Sequence, residues 1–153
     1  MTISISAIDS ISHTPSCSIQ LEKCYAAGLD GLDEFSHIIV IWYAADPGEV
    51  KMTLKRPYLK GPEELGLFAT RSPLRPSGLC ISTAEIISID TSGPAVMITW
   101  IDADQNSPVL DIKPYHPSVD RVRDVRLPGW CSQWPGWYED SSTFDWESVF
   151  SCP

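Results

Sequence analysis

No apolar run in the 153 residues approaches the roughly 18 that a membrane-spanning helix needs. The opening Met-Thr-Ile-Ser-Ile-Ser-Ala-Ile also lacks the basic stretch of a signal peptide, so no membrane partner is expected. Cysteine is sparse and unpaired in pattern. Cys17, Cys24, Cys80, Cys131 and Cys152 are odd in number and never form a C-x-x-C, which argues against a disulfide framework and against a zinc site. Free thiols and no expected metal fit a cytoplasmic protein. There is no G-x-G-x-x-G after a strand, no P-loop, no H-E-x-x-H and no G-x-S-x-G. That removes the usual Rossmann-type, kinase, zinc-protease and serine-hydrolase readings. Basic residues are few, eleven against twenty acids, and the net charge of −9 opposes non-specific binding to nucleic acid. Helical periodicity and internal repeats are missing as well.

What is present reads as strands. Ile3–Ile8 alternates apolar and polar with period two, as a half-buried strand does. Ser10–Ser18 reads as a loop and Ile19–Tyr25 as a second short strand. Gly28-Leu-Asp-Gly-Leu-Asp-Glu repeats a turn-forming unit and should bend the chain. His37–Tyr43 is a continuous β-branched and aromatic run, the pattern of a strand buried on both faces. Leu79–Ile89 and Ala95–Ile101, separated by Asp-Thr-Ser-Gly-Pro, predict an antiparallel hairpin, and Val109–Ile112 a further strand. Serial strands with Gly, Pro and Asn between them predict an all-β fold, mostly an antiparallel β-barrel, with irregular loops and a short helical or extended C-terminal tail. Length predicts one domain over residues 1–153.

Charge is unevenly spread. Residues 1–50 hold one lysine against seven acids, and residues 127–153 hold four acids and no base. Residues 51–75 hold six basic residues against Glu63 and Glu64, a local basic patch in an acidic protein. The segment Ala44–Leu65, rich in Pro and Gly, reads as a long irregular loop, either solvated or facing an anionic partner. His37 follows the acidic pair Asp33 and Glu34, so it serves either as a strand cap or as a general base. Ser118–Arg126 alternates charge and valine, as a last strand or an extended arm. The tail 127–153 carries four of six tryptophans on a chain broken by Pro and Gly. Such aromatics gain energy only by packing, which points to wrapping of the barrel or of a second subunit, with stacking on a base as the other use. Phe144–Phe150 could close as a short helix.

Two stretches carry chemistry. In Gly66–Leu79, Arg71 and Arg75 sit on a loop that Pro73 and Pro76 stiffen, since proline fixes its own φ and restricts the residue before it. A stiff loop loses little entropy on clamping a ligand, although a solvated connector would read the same way. In Ser107–Tyr115, strand alternation sets Asp111, Lys113 and Tyr115 on one face, with Leu110 and Ile112 on the other.

These two stretches, with Gly28-Leu-Asp-Gly-Leu-Asp-Glu-Phe-Ser-His37, resemble the TrmO/TsaA-like family of β-barrel S-adenosylmethionine-dependent methyltransferases. The resemblance spans about residues 28–120. Phe68 through Pro76 keeps the family's Phe-Ala-Thr-Arg-Ser-Pro-x-Arg-Pro. Ser77-Gly78-Leu79-Cys80 then replaces Asn-Pro-Ile-Gly-Leu-Ser and is two residues short. Gln105-Asn106-Ser107-Pro108 replaces Asp-Gly-Thr-Pro, a turn Asn106 can keep by accepting positive φ. The resemblance implies a cofactor site for S-adenosylmethionine from Phe68, Ala69, Thr70, Arg71, Ser72, Arg75, Leu110, Asp111 and Lys113. It implies Asp111 or Tyr115 as the group taking the acceptor's proton, or Tyr115 as a group that only orients the acceptor, since phenol is a weak base at neutral pH. The family's type reaction is N6-methylation of threonylcarbamoyladenosine at position 37 of tRNA, and its members form homodimers. The acidity and the shortened loop keep two alternatives open: a small-molecule or peptide acceptor, and a non-catalytic cofactor-binding module.

Overall fold

The computed structural model describes residues 3–8, 16–44 and 48–151, with 3–8 and Ser16 described by backbone alone. Residues 10–15 of the expected first loop, Pro47 and Cys152 fall outside these. Six strands form one sheet: β1 (Ile3–Ile8), β2 (Ser16–Gln20), β3 (His37–Tyr43), β6 (Leu79–Asp90), β7 (Ala95–Ile98) and β8 (Pro108–Pro114). They lie in the order β1-β2-β7-β6-β3-β8, every pair antiparallel, and β8 pairs back onto β1 to close a barrel. Closure removes free sheet edges and leaves an inside and an outside. Ile19, Ile38, Val40, Trp42, Ala84, Val96, Ile98 and Val109 fill the inside. The all-β reading stands, and β1, β3 and the β6–β7 hairpin fall where the residue pattern sets them.

Several details differ. β3 alternates rather than being buried throughout: Ile38, Val40 and Trp42 are buried, while Ile39 and Ile41 are half-exposed on the outer face. A closed sheet has only loops to cover its outside. The second strand starts at Ser16 and stops at Gln20, and residues 23–29 form a 3-10 helix. Beyond Gln20 only Tyr25 is a strong strand former, and Ala26-Ala27-Gly28 offers nothing to a pleated face. β7 ends at Ile98 rather than Ile101. The segment 44–65 is less irregular than its composition implies, because β4 (Thr53–Lys55) and β5 (Glu64–Gly66) pair as a small separate sheet. Residues 118–126 form no strand. His116 caps a single turn, α1 (Pro117–Asp120), accepting the Ser118 N–H at 3.3 Å while Asp120 Oδ2 accepts the His116 N–H at 2.7 Å. This reciprocal cap favours a helical turn there. Asn106 does take a left-handed φ of 66°. No helix among the described residues is long and apolar enough to cross a membrane.

Candidate functional site

The arginine loop is built on a buried pin. Leu67, 1% exposed, opens the 3-10 turn Leu67–Ala69 that follows β5, and its N–H bonds to Met52 O at 2.9 Å. Thr70 folds back onto the same residue, its hydroxyl donating to Leu67 O at 2.8 Å. The Ser72 N–H then reaches Thr70 Oγ1 and the Leu74 N–H reaches Ser72 Oγ, short side-chain turns that prolines leave room for. Gly78 ends the loop at φ +61°, where an added Cβ would lie 2.6 Å from the Tyr43 ring. Both the backbone angle and the space require glycine.

Both guanidinium groups turn back onto this frame. Arg71 Nη2 donates to Ile81 O at 2.6 Å, Arg75 donates to Thr70 O, and Arg75 lies over the Phe68 ring at 5.8 Å from its centroid. A guanidinium has five N–H donors, so each keeps others for an anion. Phe68 is largely exposed. Near them the Cys80 thiol is held above its usual range, first by burial and then by Asp102, against the pull of Arg75 and Arg71. Asp102 and Cys80 had no motif to mark them in the sequence.

On β8 a bulge alters the expected alternation. Trp42 faces Val109 and Ile41 faces Asp111, so Leu110 is the extra residue between them. Val109 and Ile112 therefore point inward, and Leu110, 44% exposed, joins Asp111 and Lys113 outside instead of lying opposite them. Lys113 Nζ and Asp111 Oδ2 pair at 2.6 Å, both partly exposed, a geometry worth at most about 1 kcal/mol. Asp111 Oδ1 also accepts the Ile112 N–H at 2.9 Å. Tyr115 continues the row past the strand end, its N–H on His37 O at 2.9 Å. His37 itself bonds through Nδ1 to Ser36 Oγ at 2.8 Å rather than to Asp33 or Glu34.

The two stretches meet across β3. Ile81 of β6 pairs with Ile41, and Ile41 pairs with Asp111 of β8. One rung thus runs from the carbonyl that Arg71 grips to the acid, about 10 Å at the usual strand spacing. Around it Tyr43, Leu79, Ile81 and Leu110 leave an apolar outer face partly exposed. The arrangement offers cationic donors on one side, a carboxylate on the other, and apolar floor between.

Residues 4–121 match the tRNA-methyltransferase O (TrmO) N-terminal domain family. The chain belongs to that family. It is 39% identical over 109 residues to a probable S-adenosyl-L-methionine-binding protein of Pyrococcus abyssi, covering 71% of this chain and 56% of that one. It is 34% identical over 102 residues to a human tRNA (adenine(37)-N6)-methyltransferase, 65% of this chain and 22% of that one. The crystal structure of TrmO from Pseudomonas aeruginosa superposes with a TM-score of 0.62 at 25% identity, over 82% of this chain and 58% of that one. The chain thus spans about half the length of the first of these relatives and less of the human one.

The TrmO match ends before the tryptophan-rich tail. That tail packs neither as a long helix nor as a barrel strand. It folds as short 3-10 turns, Gly129–Cys131, Glu139–Thr143 and Trp146–Ser148, the last in place of a Phe144–Phe150 helix. Trp130, Trp134 and Phe150 gather on Tyr58. Trp130 stacks on the Tyr58 ring at 4.9 Å, and Trp134 meets it edge-on at 5.2 Å. Backbone bonds fasten the same place: the Leu59 N–H donates to Val149 O at 2.9 Å, and Tyr58 bridges to Phe150. A cavity of about 140 Å³ remains beside Lys60, between Trp134 and Phe144. Tyr58 sits inside the basic stretch that the sequence singled out, but nothing in its neighbours marked it as the tail's seat.

Proposed function

We propose that the chain is an S-adenosylmethionine-dependent N-methyltransferase acting on threonylcarbamoyladenosine at position 37 of tRNA. The observation that carries this reading is the rung from Ile81 through Ile41 to Asp111, which sets the arginine loop and the acidic strand on one outer face. S-adenosylmethionine presents a carboxylate, an ammonium, a sulfonium and an adenine. Arg71 and Arg75 supply donors for the carboxylate. Ser72 and the backbone of Phe68, Ala69 and Thr70 line the approach. Asp111 suits the ammonium or ribose, Leu110 the apolar part, and Lys113 holds Asp111 in place. Family membership and the names of the human and archaeal relatives support the cofactor and the acceptor.

Methyl transfer is an in-line displacement at carbon: the acceptor nitrogen bonds to the methyl as the sulfur–methyl bond breaks, and the nitrogen's proton must leave. Positioning carries most of that rate. Asp111 takes the proton in this reading, with Tyr115 orienting the acceptor. Residues 1–153 act as one TsaA-like barrel domain, motifs at 28–120 and tail at 127–153, in the cytoplasm. A homodimer would close over the outer face that carries Tyr43, Leu79, Ile81 and Leu110, and so over the site itself.

A small-molecule or peptide acceptor is the second reading, favoured by the net charge of −9 and by the loop that closes directly at Gly78. Methyl-labelled S-adenosylmethionine and an extract of cells lacking the gene separate the two. Label in tRNA supports the first, label in the small-molecule or protein fraction the second, and cofactor binding without label a non-catalytic module.

A further inference from the structure

The cavity of about 140 Å³ in the aromatic tail belongs to neither stretch of the methyl-transfer site. Trp134 and Phe144 each pack edge-on against Trp146, at 5.6 and 4.8 Å between ring centres. Among the described residues no ring contact joins these two to one another, and the cavity is the slot they leave. Tyr58 and Trp130, stacked on each other at 4.9 Å, line it as well. An apolar cavity of about 150 Å³ holds a benzene ring, so this slot has the size of one six-membered ring.

Polar groups complete the lining. Gln133 is exposed, and its amide bonds to no other described residue, which leaves a donor and an acceptor for the edge of a bound ring. Lys60 reaches the same cavity from a turn that the Gly61 N–H closes on Tyr58 O at 3.0 Å. Residues 51–60 carry Lys51, Lys55, Arg56 and Lys60 with no acid among them. None of these four is in an ion pair within the described residues. The segment is fastened directly to the tail. The Leu59 N–H donates to Val149 O at 2.9 Å, the Ser151 N–H to Pro57 O at 3.4 Å, and the Ser151 hydroxyl to Arg56 O.

Rings and lysine together narrow the ligand. A box of rings alone suits an alkylammonium as well as a base. A lysine in the wall opposes a cation and favours an anion beside the ring. The tail's acids, Glu139, Asp140, Asp145 and Glu147, do not line the cavity, and Asp145 Oδ1 accepts the Ser148 N–H at 3.3 Å. A planar ring with an adjoining phosphate meets every condition, the same pairing of stacking platform and cation that holds single-stranded nucleic acid.

We propose that the slot between Trp134 and Phe144 is a second binding site, for a pyrimidine nucleotide. The base stacks between the two rings with its edge on Gln133, and its phosphate faces Lys60. Trp130, Gln133, Trp134 and Phe144 all lie beyond residue 121, where the TrmO match ends, so the site stands apart from the cofactor reading.

A free nucleotide and a pyrimidine of single-stranded RNA share this chemistry. The full chain is titrated with uridine monophosphate and with a short oligouridylate, and both should quench tryptophan fluorescence saturably. Equal affinities assign the slot to the free nucleotide, and an oligouridylate tighter by about tenfold or more assigns it to the strand. Phe144→Ala should weaken binding about five- to a hundredfold, the range of a lost base-stacking contact. That change also removes a ring from the tail's own packing, so two exposed residues carry the same test. Gln133→Ala should weaken uridine monophosphate about three- to tenfold. Lys60→Gln should make the slope of log affinity against log salt for oligouridylate shallower by about 0.7. Neither should move the melting temperature. Absence of saturable quenching by both probes overturns the proposal, as does binding that all three variants leave unchanged. An abasic oligonucleotide that binds as well as oligouridylate overturns the base slot, and tetramethylammonium binding tighter than uridine monophosphate makes the rings a cation box instead. Adenosine monophosphate should bind more weakly, and equal affinity overturns the single-ring fit.

Discussion

The barrel and the tail are two ways of burying apolar side chains, and they differ in what secures them. The barrel packs aliphatic side chains, Ile38, Val40, Val96 and Ile98 among them, behind a closed ladder of backbone hydrogen bonds. The tail has no ladder. Trp130, Trp134, Trp146 and Phe150 hold one another edge-on and stacked, and single bonds such as Trp146 Nε1 to Ser141 O at 3.0 Å fasten the turns. A ladder makes loss cooperative, while a set of ring contacts can open by itself. The candidate site belongs to the first regime, its acid on a barrel strand and Arg71 bonded to a barrel carbonyl, Ile81 O.

The largest break in that comparison is Ile38→Ala. Ile38 is fully buried, and the cavity left should cost about 2–5 kcal/mol, read as a lower urea midpoint of the barrel's far-UV transition. A far-UV transition that splits in two would mean the barrel is not the cooperative unit. Next comes Gly78→Ala, where the added Cβ meets Tyr43 and φ is +61°. A loss of about 1–3 kcal/mol, with faster exchange across residues 70–78, is expected. Stability equal to the natural chain would show that the loop does not depend on this close approach.

Arg71→Ala tests the site rather than the fold. Cofactor affinity should fall about tenfold or more, as losing a charge-assisted hydrogen bond of about 1.5–3 kcal/mol implies, with little change in melting temperature. Undiminished binding by titration calorimetry would remove Arg71 from the site.

Titration sharpens the contrast from both ends of the pH scale. Burial raises the Tyr58 phenol above its ordinary 10.0, so its contribution is full below that value and is lost as pH rises through the raised one. Tryptophan fluorescence should report the tail opening on the alkaline side before the barrel's far-UV signal changes, and Tyr58→Phe should abolish that step. Asp90, in the β6–β7 turn, behaves oppositely. Its carboxylate accepts from the Ser92 hydroxyl at 2.7 Å and from the Ser92 and Gly93 N–H groups, which lower its pKa below 3.8. That contribution is full above 3.8 and fades as pH falls through the lowered value, visible as exchange broadening of the Ser92 and Gly93 amides. The smallest effect expected is Ser107→Ala. The Ser107 hydroxyl is buried with no protein partner, so its removal should be neutral or stabilise by up to about 1 kcal/mol. A clear loss of stability would show that the hydroxyl is satisfied in solution.

The amino-acid order determined the strands whose residues carry the pattern within themselves. Alternation in Ile3–Ile8 and the β-branched run His37–Tyr43 are local properties, and so are the turn residues that split β6 from β7. It also singled out both candidate stretches, because a doubly proline-stiffened arginine pair and an Asp-x-Lys-x-Tyr row are visible as spacing. Only the tertiary structure decided the side on which Leu110 lies, since a bulge is a choice made by two paired strands, not by one. It decided that Ile39 and Ile41 face outward half-covered, because burial depends on what closes over a strand. It decided, too, that Tyr58 is the tail's seat. Residues 58, 130 and 150 share no local pattern, and what joins them is the surface that their rings hide together, which exists only once the chain has folded.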